Sequence, residues 1–142
     1  MSKFTLSHKH KRELLVKLDS RSVGFHRFKP RRDWYESRDG KIHVFLTFGR
    51  RDKLWYDMDE PDLKELATHD GRVIFLLGSS DRFLSIPASE IFQRLGQHKT
   101  GLTKNKRYTF IVRDEQSSVR FTQLPDWELS EYVSSLDFLD KP

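Results

Sequence analysis

The sequence predicts an α+β fold: one domain, residues 1–142, on a bent mixed or mainly antiparallel sheet of six or seven strands with about four helices. Three observations predict it. Val73 to Leu77 is an unbroken apolar run, the mark of a strand covered on both faces. Short alternating segments recur as pairs around turn residues, and stretches with helical spacing lie between or after them. The chain is also long enough to bury a core, which its 11 Phe and 3 Trp build from a few large side chains.

Taken in order, Ser7 caps a predicted helix to about Asp19, with Leu14, Leu15 and Leu18 inward and a basic outer face. Val23 to Lys29 predicts a short strand ended by Pro30, and Arg31 to Asp39 has no period and is expected as loop. Lys41 to Phe48 alternates strongly. After the Gly49 to Asp52 turn, Lys53 to Met58 is expected to return on it as a hairpin. Asp59 and Pro61 open a helix with Leu63, Leu66 and Ala67 inward, closed by Asp70-Gly71. Val73–Leu77 and Arg82–Ile86 form a hairpin about Gly78-Ser79-Ser80-Asp81, for which turn chemistry is sufficient and no nucleophile need be invoked. Pro87 leads into a helix over Ala88 to Leu95, with a Glu90/Arg94 pair and Gly96 as its stop. Gln97 to Lys106 is a polar, basic loop. Arg107–Arg113 and Ser118–Leu124 make a third hairpin, and Leu129, Tyr132, Val133 and Leu136 predict a last helix with an acidic outer face.

The net charge of +5 is unevenly spread. Residues 1–53 hold 15 Lys/Arg against 6 Asp/Glu, net +9, whereas residues 54–142 hold 11 against 15, net −4. A basic third on an acidic body is the pattern of an anion-facing region. Within it Arg27, Lys29, Arg31, Arg32, Arg38, Arg50, Arg51 and Lys53 are interleaved with Trp34 and Tyr35. Guanidinium and ammonium groups bind phosphates, and exposed aromatic rings stack on unpaired bases, so these ten residues are the expected nucleic-acid site, with DNA the expected partner. The acidic last helix is a second candidate surface, for a protein partner.

Several classes find no support in the residues. With no cysteine there is no disulfide, thiolate nucleophile or Cys-ligated metal, which fits a reducing, cytoplasmic setting. No apolar run reaches the roughly 20 residues of a membrane span, and no membrane partner is expected. The six histidines lack ligand spacing; His8 and His10, two apart on a helix, do not share a face. No metal or cofactor is implied.

Asp39 and Lys41 have D-x-K spacing at a strand start, with Glu13, Glu36, Asp57 and Asp59 as possible carboxylate partners. The order of helix, strands, LWYDMDEPDLKEL and VIFLLGSSDRFLSIPASEI resembles the restriction-endonuclease-like superfamily, the PD-(D/E)xK nucleases, over roughly residues 53–97. The resemblance implies a restriction, defence, repair or mobile-element setting. It also implies, as the alternative function, a divalent-metal-dependent nuclease. The departure is at Leu54 to Met58, which lacks the family's lysine. A protein-interaction domain without nucleic acid is the third reading.

Overall fold

The computed structural model describes residues 3–20, 24–28, 33–49, 54–77, 81–98, 107–115 and 117–136. Helix α1 (Lys3–Ser20) leads to strands β1 (Phe25–Arg27), β2 (Trp34–Ser37), β3 (His43–Phe48) and β4 (Trp55–Asp59). Then come α2 (Glu60–Thr68), β5 (Arg72–Leu76), β6 (Phe83–Pro87), α3 (Ala88–His98), β7 (Arg107–Glu115), β8 (Ser118–Phe121) and a 3-10 turn at Ser130–Tyr132. The class is α+β, as expected. The single sheet is not: the described strands form a five-stranded sheet in the order β1-β2-β3-β5-β6 and a three-stranded sheet β4-β7-β8.

The apolar run behaves as its composition requires. β5 is interior to the larger sheet, parallel to β3 and antiparallel to β6, and Val73 to Leu77 are all buried. Its alternate side chains feed two cores. Ile74 and Leu76 join Val44 and Leu46 beneath Leu14 and Leu18 of α1. Val73 and Phe75 face the other way, into a core shared with α2, α3 and the small sheet. There Phe75 is edge-on to Tyr56, Phe110 and Phe121, with ring centroids 5.1–5.5 Å apart. The Tyr56 hydroxyl donates to the Leu76 carbonyl at 2.6 Å and ties the sheets together.

Six local expectations are corrected. The stretch from Arg31 to Asp39 contains β2, because Trp34 and Ser37 are fully buried and the strand pairs on both sides. The hairpin of Lys41–Phe48 with Lys53–Met58 does not form. β3 takes β2 and β5 as neighbours, while Tyr56 and Met58 of β4 find apolar partners beside β7. The β4–α2 passage then serves as the crossover that a parallel β3–β5 pair needs. Helix α1 begins before Ser7, and α3 runs through Gly96 to His98. The proposed Glu90/Arg94 pair gives way to longer-range contacts: Glu90 accepts from Tyr132, and Arg94 lies 4.2 Å from the Trp127 ring centre.

The last correction is the acidic C-terminal helix. Over the described residues it is irregular, with turns and a 3-10 turn at Ser130–Tyr132, because tertiary contacts outbid helical spacing. Leu129 is buried, Val133 bridges to Leu84, and Glu128 accepts bonds from Ser118 and Ser130 and from the Val119 amide. A helical acidic face for a protein partner is therefore absent there. No described helix is long and apolar enough to cross a membrane.

Candidate nucleic-acid interface

The basic third folds into α1 and the β1–β2–β3 end of the large sheet. Cross-strand pairing sets Phe25 opposite Ser37, His26 opposite Glu36 and Arg27 opposite Tyr35. Leu15 of α1 packs into the same cluster as Phe25, Tyr35 and Ile42, so the helix and the sheet edge adjoin. Lys9 and Arg12 on α1, Arg27 on β1, and Arg38 and Lys41 about the following turn are all exposed.

Of the ten site residues expected from sequence, four are described. Arg27 and Tyr35 come together. Burial and Asp33 raise the Tyr35 phenol above its usual range, and Arg27 pulls the other way. Arg38 sits at the opposite end of the hairpin with its guanidinium against Gly24, whose φ of 92° suits glycine. Trp34 is a correction: at 0% exposure it is a core side chain, stacked on Phe28 at 4.8 Å, and cannot serve as a base platform. Its indole N–H donates to His43 Nδ1 at 3.0 Å, which satisfies a polar atom that burial would otherwise strand. Lys29, Arg31, Arg32, Arg50, Arg51 and Lys53 lie outside the described residues.

The D-x-K segment forms a turn. Asp39 Oδ1 accepts from the Ser37 hydroxyl at 2.5 Å and from the Lys41 amide at 3.1 Å, and Gly40 takes φ 73°. The Ser37 bond first, then the Lys41 amide, holds the Asp39 carboxyl below its ordinary range. The other carboxylates are also engaged: Glu36 with His26 at 2.8 Å, Asp57 with Thr109, and Asp59 with Arg107. Among the described residues no three His, Asp or Glu side chains converge to hold a metal ion.

Sequence reasoning missed a row of polar groups across this end of the sheet. His26, Glu36 and His43 are cross-strand neighbours on β1, β2 and β3, and His69, the C-cap of α2, stacks on His43. Because the Trp34 indole can only donate, His43 Nδ1 must accept, so the proton sits on Nε2 and is donated to the Gly40 carbonyl at 3.1 Å. Burial first, and then His69, lower the His43 pKa and so favour the neutral ring. Both ring nitrogens are committed, and the arrangement orients the β2–β3 turn that carries Arg38 and Lys41. The only cue in the sequence was the chemistry of a His placed at a helix end; its pairing with residues 26 to 43 is tertiary.

Compared with protein-family models, curated proteins and solved structures, the chain matches none. Its class is thus defined by its own architecture, a two-sheet α+β fold whose first 53 residues are basic in sequence.

Proposed function

We propose that the protein is a nucleic-acid-binding module, with DNA as its ligand, that holds phosphates through its basic N-terminal third. One observation supports the reading: Leu15 of α1 packs into one cluster with Phe25 of β1 and Tyr35 of β2, and Lys9 and Arg12 of that helix, Arg27 of β1, and Arg38 and Lys41 of the β2–β3 turn are exposed. In the sequence, residues 1–53 carry an excess of nine positive charges and residues 54–142 a net of −4. Phosphate contacts of this kind supply affinity without requiring base-reading machinery.

Lys29, Arg31, Arg32, Arg50, Arg51 and Lys53 belong to the same chain segment and extend the proposed footprint. The test replaces Arg27, Arg31, Arg32 and Arg38 together with Ala. Each lost phosphate contact on duplex DNA should flatten the slope of log affinity against log salt by about 0.9. An unchanged slope in a folded variant removes these residues from the interface.

A further inference from the structure

A cavity lies where α3 meets the turn that follows β8. The Trp127 backbone N–H donates to the Leu124 carbonyl at 3.1 Å and closes the turn Leu124-Pro125-Asp126-Trp127, with Pro125 at the position whose φ proline presets. Two side-chain bonds fix this turn to the small sheet: the Gln123 amide donates to the Thr109 carbonyl at 2.7 Å, and Arg120 donates to the Pro125 carbonyl at 2.7 Å. Arg94 reaches across from α3 and lies 4.2 Å from the Trp127 ring centre. Arg94 and residues 123 to 127 line a cavity of about 240 Å³, below the roughly 300–1,000 Å³ of pockets for drug-sized ligands. The space suits a molecule of amino-acid size.

The neighbouring charges are committed elsewhere. Glu90, one turn before Arg94 on α3, accepts from the Tyr132 hydroxyl. Glu128 accepts from Ser118 and Ser130 and balances Arg120 at 3.3 Å. Arg94 and Asp126 line the same cavity, yet among the described residues neither forms a hydrogen bond or an ion pair, with the other or elsewhere. Arg94 is partly buried, and a guanidinium withdrawn from water without a hydrogen-bonded partner is costly. Stacking on the indole offsets part of that cost and holds the guanidinium plane, which leaves its N–H edges for a bidentate acceptor. Gln123 spends its amide N–H on Thr109, which leaves its amide oxygen as an acceptor.

We infer that this cavity binds a free α-amino acid with an apolar side chain. The carboxylate takes the Arg94 fork, the ammonium takes Asp126 with the Gln123 oxygen, and the side chain lies on Leu124 and Pro125 beside Trp127. A zwitterion carries both charges on one carbon and so answers both charges of the cavity. A phosphate or a plain carboxylate meets Asp126 as a like charge, and a plain amine meets Arg94 as one. A peptide terminus carries only one of the two groups. The inference is independent of the nucleic-acid reading above.

The test follows the Trp127 indole N–H resonance of the full chain during titration with leucine, leucine amide, 4-methylpentanoate and glycine, which lack in turn nothing, the carboxylate, the ammonium and the side chain. Wild type, Arg94→Gln and Asp126→Asn are compared, with thermal unfolding as the check that each variant is folded. A site with a Kd near 1 mM is nearly saturated at about 10 mM ligand. Leucine should shift the resonance saturably in that range, and the other three should bind on the order of tenfold more weakly. Asp126→Asn should weaken leucine while leaving 4-methylpentanoate no weaker than before. Arg94→Gln should weaken leucine while leaving leucine amide unchanged.

No saturable shift with leucine in that range overturns the inference. Equal wild-type binding of leucine and 4-methylpentanoate makes the cavity a plain anion site and overturns it, and equal binding of leucine and leucine amide does the same from the other side. Wild-type leucine affinity in both folded variants removes Arg94 and Asp126 from the site and equally overturns it.

Discussion

His43 and His69 stack with ring centroids 4.3 Å apart and planes 29° from parallel, joining the start of β3 in the large sheet to the end of α2. His43 is buried and accepts the Trp34 indole proton, so it folds as the neutral base. Replacing it with Ala leaves the Trp34 N–H buried without a partner and should cost about 1–3 kcal/mol, before any cavity term. Thermal unfolding of His43→Ala checks this.

The same pair predicts a pH dependence. Burial first and His69 second lower the His43 pKa below 6.5, while the Gly40 carbonyl and Glu36 act in the opposite sense. A depressed histidine pKa means that the unfolded chain takes up the proton more readily. The associated stability is therefore complete above about pH 6.5 and is lost as pH falls through the folded value. His43→Gln can still accept from Trp34 but does not titrate, so its melting temperature should fall less than that of the wild type between pH 7 and pH 5.

Gly71 joins α2 to β5 at a point where a side chain has no room. A Cβ there would lie 2.3 Å from Leu66 Cδ1 and 3.1 Å from the Leu66 carbonyl oxygen. Leu66 is itself fully buried and cannot swing aside freely. Gly71→Ala should destabilise by about 1–3 kcal/mol through overpacking, measurable by urea denaturation at unchanged m-value.

Phe75 is the side chain through which the two sheets meet, enclosed by Tyr56, Phe110 and Phe121. Phe75→Ala should cost on the order of 3–5 kcal/mol, a large share of a domain's stability. A loss below about 1 kcal/mol in chemical denaturation would mean that the sheets do not share this core.

What could be foreseen divides along contact range. The β5–β6 hairpin, the inward face of α2 and the β7–β8 hairpin were legible because apolar patterning and nearby turn residues determine them. β2 was not, since WYES carries no period and owes its strand form to pairing with β1 and β3. The partner of β4 was also hidden, because Asp59 meets Arg107 across two intervening helices and the β5–β6 hairpin. At the C-terminus, helical spacing was present but was overridden by the bonds of Glu128 and Tyr132. The basic character of the candidate site was visible in composition. Which aromatic residues face solvent was not: Trp34 is inside and Trp55 outside, a distinction that depends on which sheet each strand joins.

Glu128 gives an acid-range prediction. Bonds from the Ser130 hydroxyl, the Ser118 hydroxyl and the Val119 amide hold its carboxyl at about 2. A depressed carboxyl pKa contributes stability above its ordinary value of 4.5, and that contribution disappears as pH falls toward 2. Hydrogen exchange at the Val119 and Ser130 amides, compared between wild type and Glu128→Gln, should show their protection relative to the core declining in that window in the wild type. In Glu128→Gln the decline should already be present at pH 6.

The central proposal is that the basic N-terminal third binds nucleic acid by phosphate contact, and the affinity of the wild type for DNA across a salt series tests it most directly. The expected result is measurable binding at low salt, with log affinity falling linearly against log salt at a slope corresponding to several released counterions. Absence of binding at low salt, or an affinity indifferent to salt, would contradict the account.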